Sequence, residues 1–67
     1  MTPITLNTYA VCTKRPDGSP QVVAECHNWP TAKAIRAKYN SEYIARFGTA
    51  RGPYIIAAPG EAVLPSR

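Results

Sequence analysis

Few side chains in this sequence could act as nucleophiles or metal ligands. It contains two cysteines, Cys12 and Cys26, and a single histidine, His27. A Cys–His nucleophile requires the thiol beside the imidazole, with a third group that orients the imidazole. Cys26 and His27 are neighbours in a strand-like segment, so their side chains point to opposite faces. A zinc site needs three or four clustered ligands, which these three residues do not supply.

The four carboxylates are also isolated from one another. They are Asp17, Glu25, Glu42 and Glu61. General acid–base catalysis usually depends on groups held together, and no such pair is indicated. The sequence also lacks a glycine-rich loop of the kind that binds phosphate. We therefore expect a protein that is not an enzyme and that requires no metal and no cofactor.

The charged residues favour acidic partners, although only moderately. Eight Lys and Arg against four Asp and Glu give a formal net charge of +4 and a pI near 9.4. Nucleic-acid-binding domains usually concentrate their cations in one patch, whereas the basic residues here are spread along the chain. They are Lys14, Arg15, Lys33, Arg36, Lys38, Arg46, Arg51 and Arg67. We therefore rank a solvating surface above direct nucleic-acid binding.

The length of 67 residues corresponds to one small domain, 1–67, with residues 1–6 as a lead-in and residues 59–67 as a tail or short edge strand. A chain of this size buries only about 60% of the surface that its unfolded form exposes, so stability gained from a partner or from self-association is expected. No apolar run approaches the ~18 residues of a membrane span, and no signal peptide is recognisable. These features predict a cytoplasmic protein with reduced cysteines.

Two strand-like runs, "NTYAVCTK" and "QVVAECH", flank the turn signal "RPDGSP" and predict a hairpin. With Asp17-Gly18 as a two-residue loop, one face of the hairpin becomes almost wholly apolar. The predicted pairs are Tyr9 with Cys26, Val11 with Ala24, and Thr13 with Val22. In this register Cys12 and Cys26 lie on opposite faces, so they cannot form a disulfide.

The segment "WPTAKAIRAKYN", Trp29 to Asn40, predicts an α-helix, with Thr31 as its N-cap. Helical spacing separates two stripes on its surface. The apolar stripe consists of Ala32, Ile35 and Tyr39, and the outward polar stripe consists of Lys33, Arg36 and Asn40. The apolar stripe is expected to hold the helix on the sheet. The polar stripe could serve solvation or contact a partner.

Aromatic residues give two further interpretations. Trp29 at the helix entrance could pack over the sheet edge, which we favour, or serve as an exposed anchor for a partner. The tyrosines Tyr9, Tyr43 and Tyr54 could stack nucleic-acid bases on one sheet face. We favour burial beneath the helix, because a chain this small needs its aromatic side chains in its core.

The segment "SEYIARFG" permits two assignments. It could extend the helix to Gly48 as the C-cap. Its aromatic and β-branched residues instead favour a strand, "EYIARFGT", joined through "ARG" to a second strand, "PYIIAAP". We choose the second hairpin, with a further short edge strand at Ala62–Leu64. The predicted fold is α+β with element order ββαββ, an antiparallel sheet of about four strands with one helix on one face.

These elements resemble the small phage-encoded type I-F anti-CRISPR proteins, in which a single helix packs on an antiparallel sheet. The resemblance spans residues 8–58 and rests on "VAECHNWPTAKAIRAKYN" followed by "EYIARFGTARGPYII". The shared features are the "AE" end of the second strand, an "AK-x-I" helix beginning at Ala32, and an aromatic-aliphatic last strand after Gly52.

The resemblance implies a protein without catalytic activity that binds a host complex, the CRISPR ribonucleoprotein. Such inhibitors dock on the backbone subunits of the surveillance complex and block hybridisation of target DNA with the guide. A helix lysine and an amide near the helix end make contact in that family, and Lys33 and Asn40 match them here. The family's last-strand lysine has no counterpart, since Ala57-Ala58-Pro59 stands at that position, and its following arginine has no secure match.

Three functional hypotheses follow. The first is a protein-binding inhibitor of phage or mobile-element type that uses Lys33, Arg36 and Asn40. The second is a small basic nucleic-acid-binding domain that uses the sheet or the hairpin tip, Lys14-Arg15. The third is an assembly module that oligomerises through its sheet edges.

Overall fold

Six regular elements form the part of the chain that the computed structural model describes, residues 2–65. In chain order they are β1 (Ile4–Thr5), β2 (Tyr9–Lys14), β3 (Pro20–Cys26), α1 (Trp29–Phe47), β4 (Tyr54–Ala57) and β5 (Ala62–Val63). Every strand pair is antiparallel, and α1 packs on the sheet, so the predicted α+β fold with one helix is confirmed.

The main sheet has three strands in the order β3-β2-β4, with β2 in the centre. Its two faces support separate cores, because alternate residues of β2 point in opposite directions. The core on the helix side contains Val11, Cys26 and Ala32, which are buried. The core on the other side contains Leu6, Ala10, Cys12, Val22, Ala57 and Val63. The β1–β5 pair contributes Val63 to this second core.

The β2–β3 hairpin follows the predicted register for only half of its length. Tyr9 pairs with Cys26 and Val11 with Ala24, as expected, but the register then shifts by one residue. Thr13 therefore pairs with Gln21, and the predicted pairing of Thr13 with Val22 is wrong.

The turn explains the shift. The Gly18 N–H donates to the Arg15 carbonyl (2.8 Å), and the Arg15 N–H donates to the Ser19 carbonyl (2.9 Å). These bonds enclose Pro16, Asp17 and Gly18 in a three-residue loop with a left-handed glycine (φ 89°), and the predicted two-residue loop is wrong. A bulge on β3 absorbs the shift, because Val23 lies between the pairs Val11–Ala24 and Cys12–Val22 and has no partner of its own on β2. Val22 consequently joins Cys12 in the second core.

Both cysteines are free and buried, and each belongs to a different core. The bulge does not move either of them to the other face. Cys26 still pairs with Tyr9, Cys12 directly follows Val11 on β2, and the extra residue of the bulge is Val23 on β3. The predicted placement of Cys12 and Cys26 on opposite faces is therefore confirmed.

The helix begins at Trp29, and its N-cap is Asn28 rather than the predicted Thr31. The Asn28 backbone is extended, and its side-chain oxygen accepts a hydrogen bond from the Thr31 N–H (2.9 Å). Thr31 is therefore the third helical residue and donates to the cap. Pro30 is accommodated because a first-turn residue needs no intrahelical N–H partner.

The predicted strand over residues 42–49 is wrong, since α1 continues through this segment to Phe47. Tyr43 and Phe47 lie one and two turns after Tyr39, so they continue the line of the apolar stripe, and Tyr43 packs on Tyr54. This helical packing overrides the strand preference of aromatic residues. The main sheet consequently has three strands, and β4 pairs with the central β2, with Val11 opposite Ile56.

The helix ends at Gly48, which has φ 67° and donates its N–H to the Ile44 carbonyl (2.8 Å). Replacing Gly48 with alanine should lower the free energy of unfolding by about 1 kcal/mol, because a Cβ disfavours this left-handed conformation. Urea denaturation measures the change. Gly48→Asn is the matched control, since asparagine tolerates the conformation better and should lose less stability. Equal stability of all three proteins would contradict this account of the helix end.

Candidate functional site

The net charge of the chain is concentrated in one segment, α1 together with the loop that leads to β4. Residues 29–53 contain five of the eight basic residues and one of the four acidic residues. The basic ones are Lys33, Arg36, Lys38, Arg46 and Arg51, and the acidic one is Glu42. The remainder of the chain has three basic and three acidic residues, so its formal charges cancel. The whole formal charge of +4 therefore belongs to this segment.

Trp29 is the first residue of α1 and remains 47% exposed. Its indole packs edge-to-face against the half-buried ring of Tyr9, with 5.8 Å between the ring centroids and 61° between the ring planes. This contact holds the side chain at the end of β2 while leaving much of its surface open. Trp29 therefore packs over the end of β2, in line with the favoured interpretation, and its role as an anchor for a partner stays a prediction.

Lys33 and Arg36 follow Trp29 by four and seven residues, so the three side chains share one side of the helix. Lys33 is exposed and Arg36 is half-exposed. We name these three residues the basic stripe. It extends over about 10 Å of a rigid helix and combines one aromatic group with two cations. Such a surface suits an acidic partner.

Asn40, the fourth predicted contact residue on α1, is engaged within the protein. Its side-chain oxygen accepts from the Tyr54 N–H (2.9 Å), and its side-chain N–H₂ donates to the Tyr54 carbonyl (3.2 Å). The amide therefore pairs with the Tyr54 backbone much as a neighbouring strand would. Asn40 joins α1 to the first residue of β4, and its amide is not part of the basic stripe.

The outer edge of β4 is closed at both ends by side chains. Backbone N–H and C=O groups alternate in direction along a strand. Those of Tyr54, and of Ala58 directly after β4, therefore both point away from β2. Asn40 occupies the Tyr54 groups, and Glu61 occupies those of Ala58. The Glu61 carboxylate accepts from the Ala58 N–H, and the Glu61 N–H donates to the Ala58 carbonyl (3.2 Å). Such closure protects an edge strand from pairing with other chains.

The outer edge of β3 is covered near the start of the strand. The Val22 N–H donates to the Leu64 carbonyl (3.0 Å), and the Leu64 N–H donates to the Pro20 carbonyl (2.9 Å). The segment after β5 thus adds one bridge to this edge. Both edges of the main sheet are therefore partly closed.

Lys14 and Arg15 lie at the β2–β3 turn, away from the basic stripe. Trp29 packs beside Tyr9, at the opposite end of β2 from Lys14. The turn also contains a carboxylate, since Asp17 accepts a hydrogen bond from the Ser19 N–H (2.9 Å). This bond lowers the pKa of the Asp17 carboxyl, which keeps a negative charge near the two cations. The turn is thus a more balanced surface than the helix.

Four aromatic side chains line a groove at the end of α1, which was not among the predicted sites. They are Tyr39, Tyr43, Phe47 and Tyr54, with Glu42 and Arg46 beside them, and together they define the aromatic groove. The ring centroids of Tyr43 and Phe47 are 4.6 Å apart, and those of Tyr39 and Tyr54 are 5.3 Å apart. The groove has a volume of about 150 Å³. The (i, i+4) spacing of its helical residues was the available signal.

The thiols and the imidazole are not assembled into a reactive group. Burial raises the pKa of the Cys12 thiol, and the charge of Glu61 raises it further. Cys26 is buried in the other core, whereas His27 is exposed. Within residues 2–65, no group of three His, Cys, Asp or Glu side chains is placed to hold a metal ion. In the same residues, no helix combines the length and apolarity needed to cross a membrane.

Comparisons with known proteins identify no relative. No family model matches the chain, and no curated protein and no solved structure resembles it significantly. The resemblance to anti-CRISPR proteins therefore rests on sequence features alone.

Proposed function

We propose that this protein is a non-catalytic, protein-binding inhibitor of phage or mobile-element type that uses the basic stripe on α1. The observation that supports this most is the concentration of the whole formal charge of +4 on the segment that contains the stripe. An exposed tryptophan beside two cations gives the stripe both an apolar anchor and electrostatic complementarity to an acidic surface.

The position of the stripe on a helix favours binding. Trp29 is already packed against Tyr9, and Lys33 and Arg36 project from a helix fixed to the sheet by its buried Ala32. A rigid surface loses little conformational entropy when it binds. Charge steering should accelerate association, and this effect should weaken as salt is added.

The resemblance suggests the partner, a CRISPR ribonucleoprotein whose target-DNA binding the protein would block. Lys33 stands where the family uses a helix lysine, and it is exposed. Asn40 stands where the family uses an amide, but here that amide pairs with the Tyr54 backbone. We therefore assign the contact to Trp29, Lys33 and Arg36, with Asn40 supporting the fold.

A charge-reversal experiment tests the assignment. The double variant Lys33→Glu/Arg36→Glu should reduce capture of a type I-F surveillance complex by at least about tenfold, because two attractive charges become repulsive. Lys14→Glu/Arg15→Glu is the matched control, since it makes the same charge change at the hairpin turn. The control should capture the complex nearly as well as the unmodified protein. Capture is measured by a pull-down, and inhibition by the binding of target DNA to the complex.

The possible outcomes test the binding site and the identity of the partner separately. Equal capture by the unmodified protein and the folded Lys33→Glu/Arg36→Glu variant would contradict the role of the basic stripe. If the complex is not captured by any of these proteins, the proposed partner is wrong. An affinity pull-down from host lysate with mass identification then finds the acidic partner, and the same pair of variants locates its contact surface.

Direct nucleic-acid binding is the second candidate, and it is favoured by the same concentration of charge. It predicts that DNA or RNA is shifted in a gel at low salt and that affinity falls steeply as salt rises. The stripe variant should weaken binding if α1 makes the contact, whereas the Lys14→Glu/Arg15→Glu variant should do so if the hairpin turn makes it. Absence of any shift at low salt removes this candidate.

Assembly through the sheet edges is less favoured as a function. Asn40 and Glu61 occupy backbone groups on the outer edge of β4, and Leu64 bridges part of the edge of β3. A chain that oligomerised by adding strands would need those groups free.

A further inference from the structure

The last turns of α1 extend beyond the main sheet. Trp29 packs beside Tyr9 at one end of β2, and Asn40 bonds to Tyr54, the first residue of β4. The helix has therefore crossed the sheet by Asn40, and its remaining seven residues continue for about 10 Å. The apolar stripe continues with them, although the sheet no longer lies beneath it.

This projecting part of the helix exposes apolar surface. Phe47 is 59% exposed, the highest value among the large hydrophobic side chains of residues 2–65. It lines the aromatic groove together with Tyr43 and Tyr54. Tyr43 contacts both other rings, at centroid distances of 4.6 Å to Phe47 and 6.4 Å to Tyr54. An uncovered aromatic surface of this kind is typical of an interface.

The charges beside the groove distinguish it from the rest of α1. Glu42 is the only acidic residue among residues 29–53, and Arg46 follows it by one helical turn. Two copies with a formal charge of +4 each would repel one another across most of the helix surface. Beside the groove the charges of Glu42 and Arg46 cancel, so a second copy of the chain can approach there with less repulsion. A carboxylate and a guanidinium one turn apart also complement themselves when two such helices run antiparallel.

A nucleobase fits the aromatic groove less well than a second copy of the chain does. The Phe47 ring already has two close neighbours, since the Arg46 guanidinium carbon lies 5.6 Å from its centroid and the Tyr43 ring centroid lies 4.6 Å from it. Stacking of bases requires a free aromatic face. The Glu42 carboxylate in the groove lining would in addition repel a phosphate.

From these observations we propose that the aromatic groove binds a second copy of this chain. The last turns of the two α1 helices pack antiparallel about a two-fold axis, which makes the contact isologous. Phe47 of each copy enters the groove of the other, and Glu42 faces Arg46 of the partner subunit. The basic stripe begins at the other end of α1, so it remains accessible in both copies. This proposal is independent of the proposed function.

Charge reversal tests the pairing, with mass measured by analytical ultracentrifugation from micromolar to near-millimolar concentration. The unmodified protein should change from monomer to dimer with increasing concentration. Glu42→Arg alone and Arg46→Glu alone should weaken the dimer by at least about tenfold, because each places like charges opposite one another. The double variant Glu42→Arg/Arg46→Glu should restore it. A mixture of the two single variants should form a heterodimer.

If the mixture of the two single variants forms a heterodimer, the charge pairs act between copies, and the weakened dimer of each single variant is not caused by a loss of its own stability. Glu42 and Arg46 are both exposed, so the variants should keep their fold, which circular dichroism and thermal melting check. A monomer at every concentration would overturn the proposal and leave the groove to a different partner. A dimer that is unaffected by either charge reversal, or that the mixture does not restore, would place self-association on another surface.

Discussion

Replacing Asn40 with alanine is expected to lower the free energy of unfolding by about 2 kcal/mol. The substitution removes two hydrogen bonds, one to the Tyr54 N–H and one to the Tyr54 carbonyl, each worth about 1 kcal/mol. It also leaves the first residue of β4 without its partner at the outer edge. For a domain of this size, the melting temperature should fall by about 8–16 °C.

Asn7→Ala is the matched control, because it removes the same side chain at an exposed position before β2. A surface change of this kind should alter stability by no more than about 0.5 kcal/mol. Thermal melting followed by circular dichroism measures both variants. If Asn40→Ala is as stable as Asn7→Ala, the amide pairing contributes nothing to the fold, and Asn40 becomes available as a contact residue.

This result also bears on function. The resemblance assigns a contact to Asn40, whereas the fold uses its amide to hold β4. Partner capture by Asn40→Ala, measured well below its melting temperature, distinguishes the two roles. A structural role predicts reduced stability with nearly unchanged capture. The Lys33→Glu/Arg36→Glu variant should behave in the opposite way, with reduced capture and nearly unchanged stability.

Local patterns were sufficient to predict much of the fold. Helical spacing placed Ala32 against the sheet, and it is fully buried, with Ile35 and Tyr39 half-buried beside it. Strand alternation placed Cys12 and Cys26 on opposite faces, where they occur. These signals depend only on the geometry of one element, so a single sequence contains them.

The errors arose where local preferences compete. Asn28 and Thr31 are both good N-caps, and only the observed backbone decides that Asn28 accepts from Thr31. The segment 42–47 has aromatic residues suited to strands, yet the helix retains it because Tyr43 packs on Tyr54. The hairpin register likewise depended on the conformation of Asp17, because a two-residue type I′ loop needs positive φ at both Asp17 and Gly18, whereas only Gly18 of the two has positive φ.

The candidate site was only partly predictable. Trp29, Lys33 and Arg36 could be chosen from helical spacing, and the count of charges by segment was also available from the sequence. The pairing of Asn40 with Tyr54 was not, because it joins residues 14 positions apart through a loop of irregular backbone. The aromatic groove exists only because the helix continues to Phe47. The prediction of a strand at 42–49 therefore excluded it.

The loop between α1 and β4 explains why Asn40 can reach Tyr54. Gly52 lies so close to the helix that a Cβ at this position would be 2.7 Å from the Asn40 Cα and 2.5 Å from its Cγ. The same Cβ would collide with the Asn40 Oδ1 atom. The absence of a side chain at Gly52 therefore permits the backbone to approach the helix, and this approach aligns β4 with the asparagine amide.

Gly52→Ala should consequently lower the free energy of unfolding by about 3 kcal/mol, because the loop must move away from α1 and the Asn40 bonds are disturbed. Gly60→Ala is the matched control. Gly60 has φ 91° and no atom within 4 Å of an added Cβ, so its cost is conformational alone, about 1 kcal/mol. Urea denaturation measures both. A loss at Gly52 no larger than that at Gly60 would contradict the steric role of Gly52.

The double variant Asn40→Ala/Gly52→Ala should be more stable than the sum of the two single effects predicts. In the Asn40→Ala background the Cγ and Oδ1 atoms, two of the three atoms nearest to the added Cβ, are absent, so the steric conflict with residue 40 is smaller. The hydrogen bonds to Tyr54 have also been lost already and cannot be lost twice. A coupling energy of about 1–2 kcal/mol is expected for two residues in contact. Additive effects would mean that the loop and the amide stabilise β4 independently, whereas the observed approach requires that they act together.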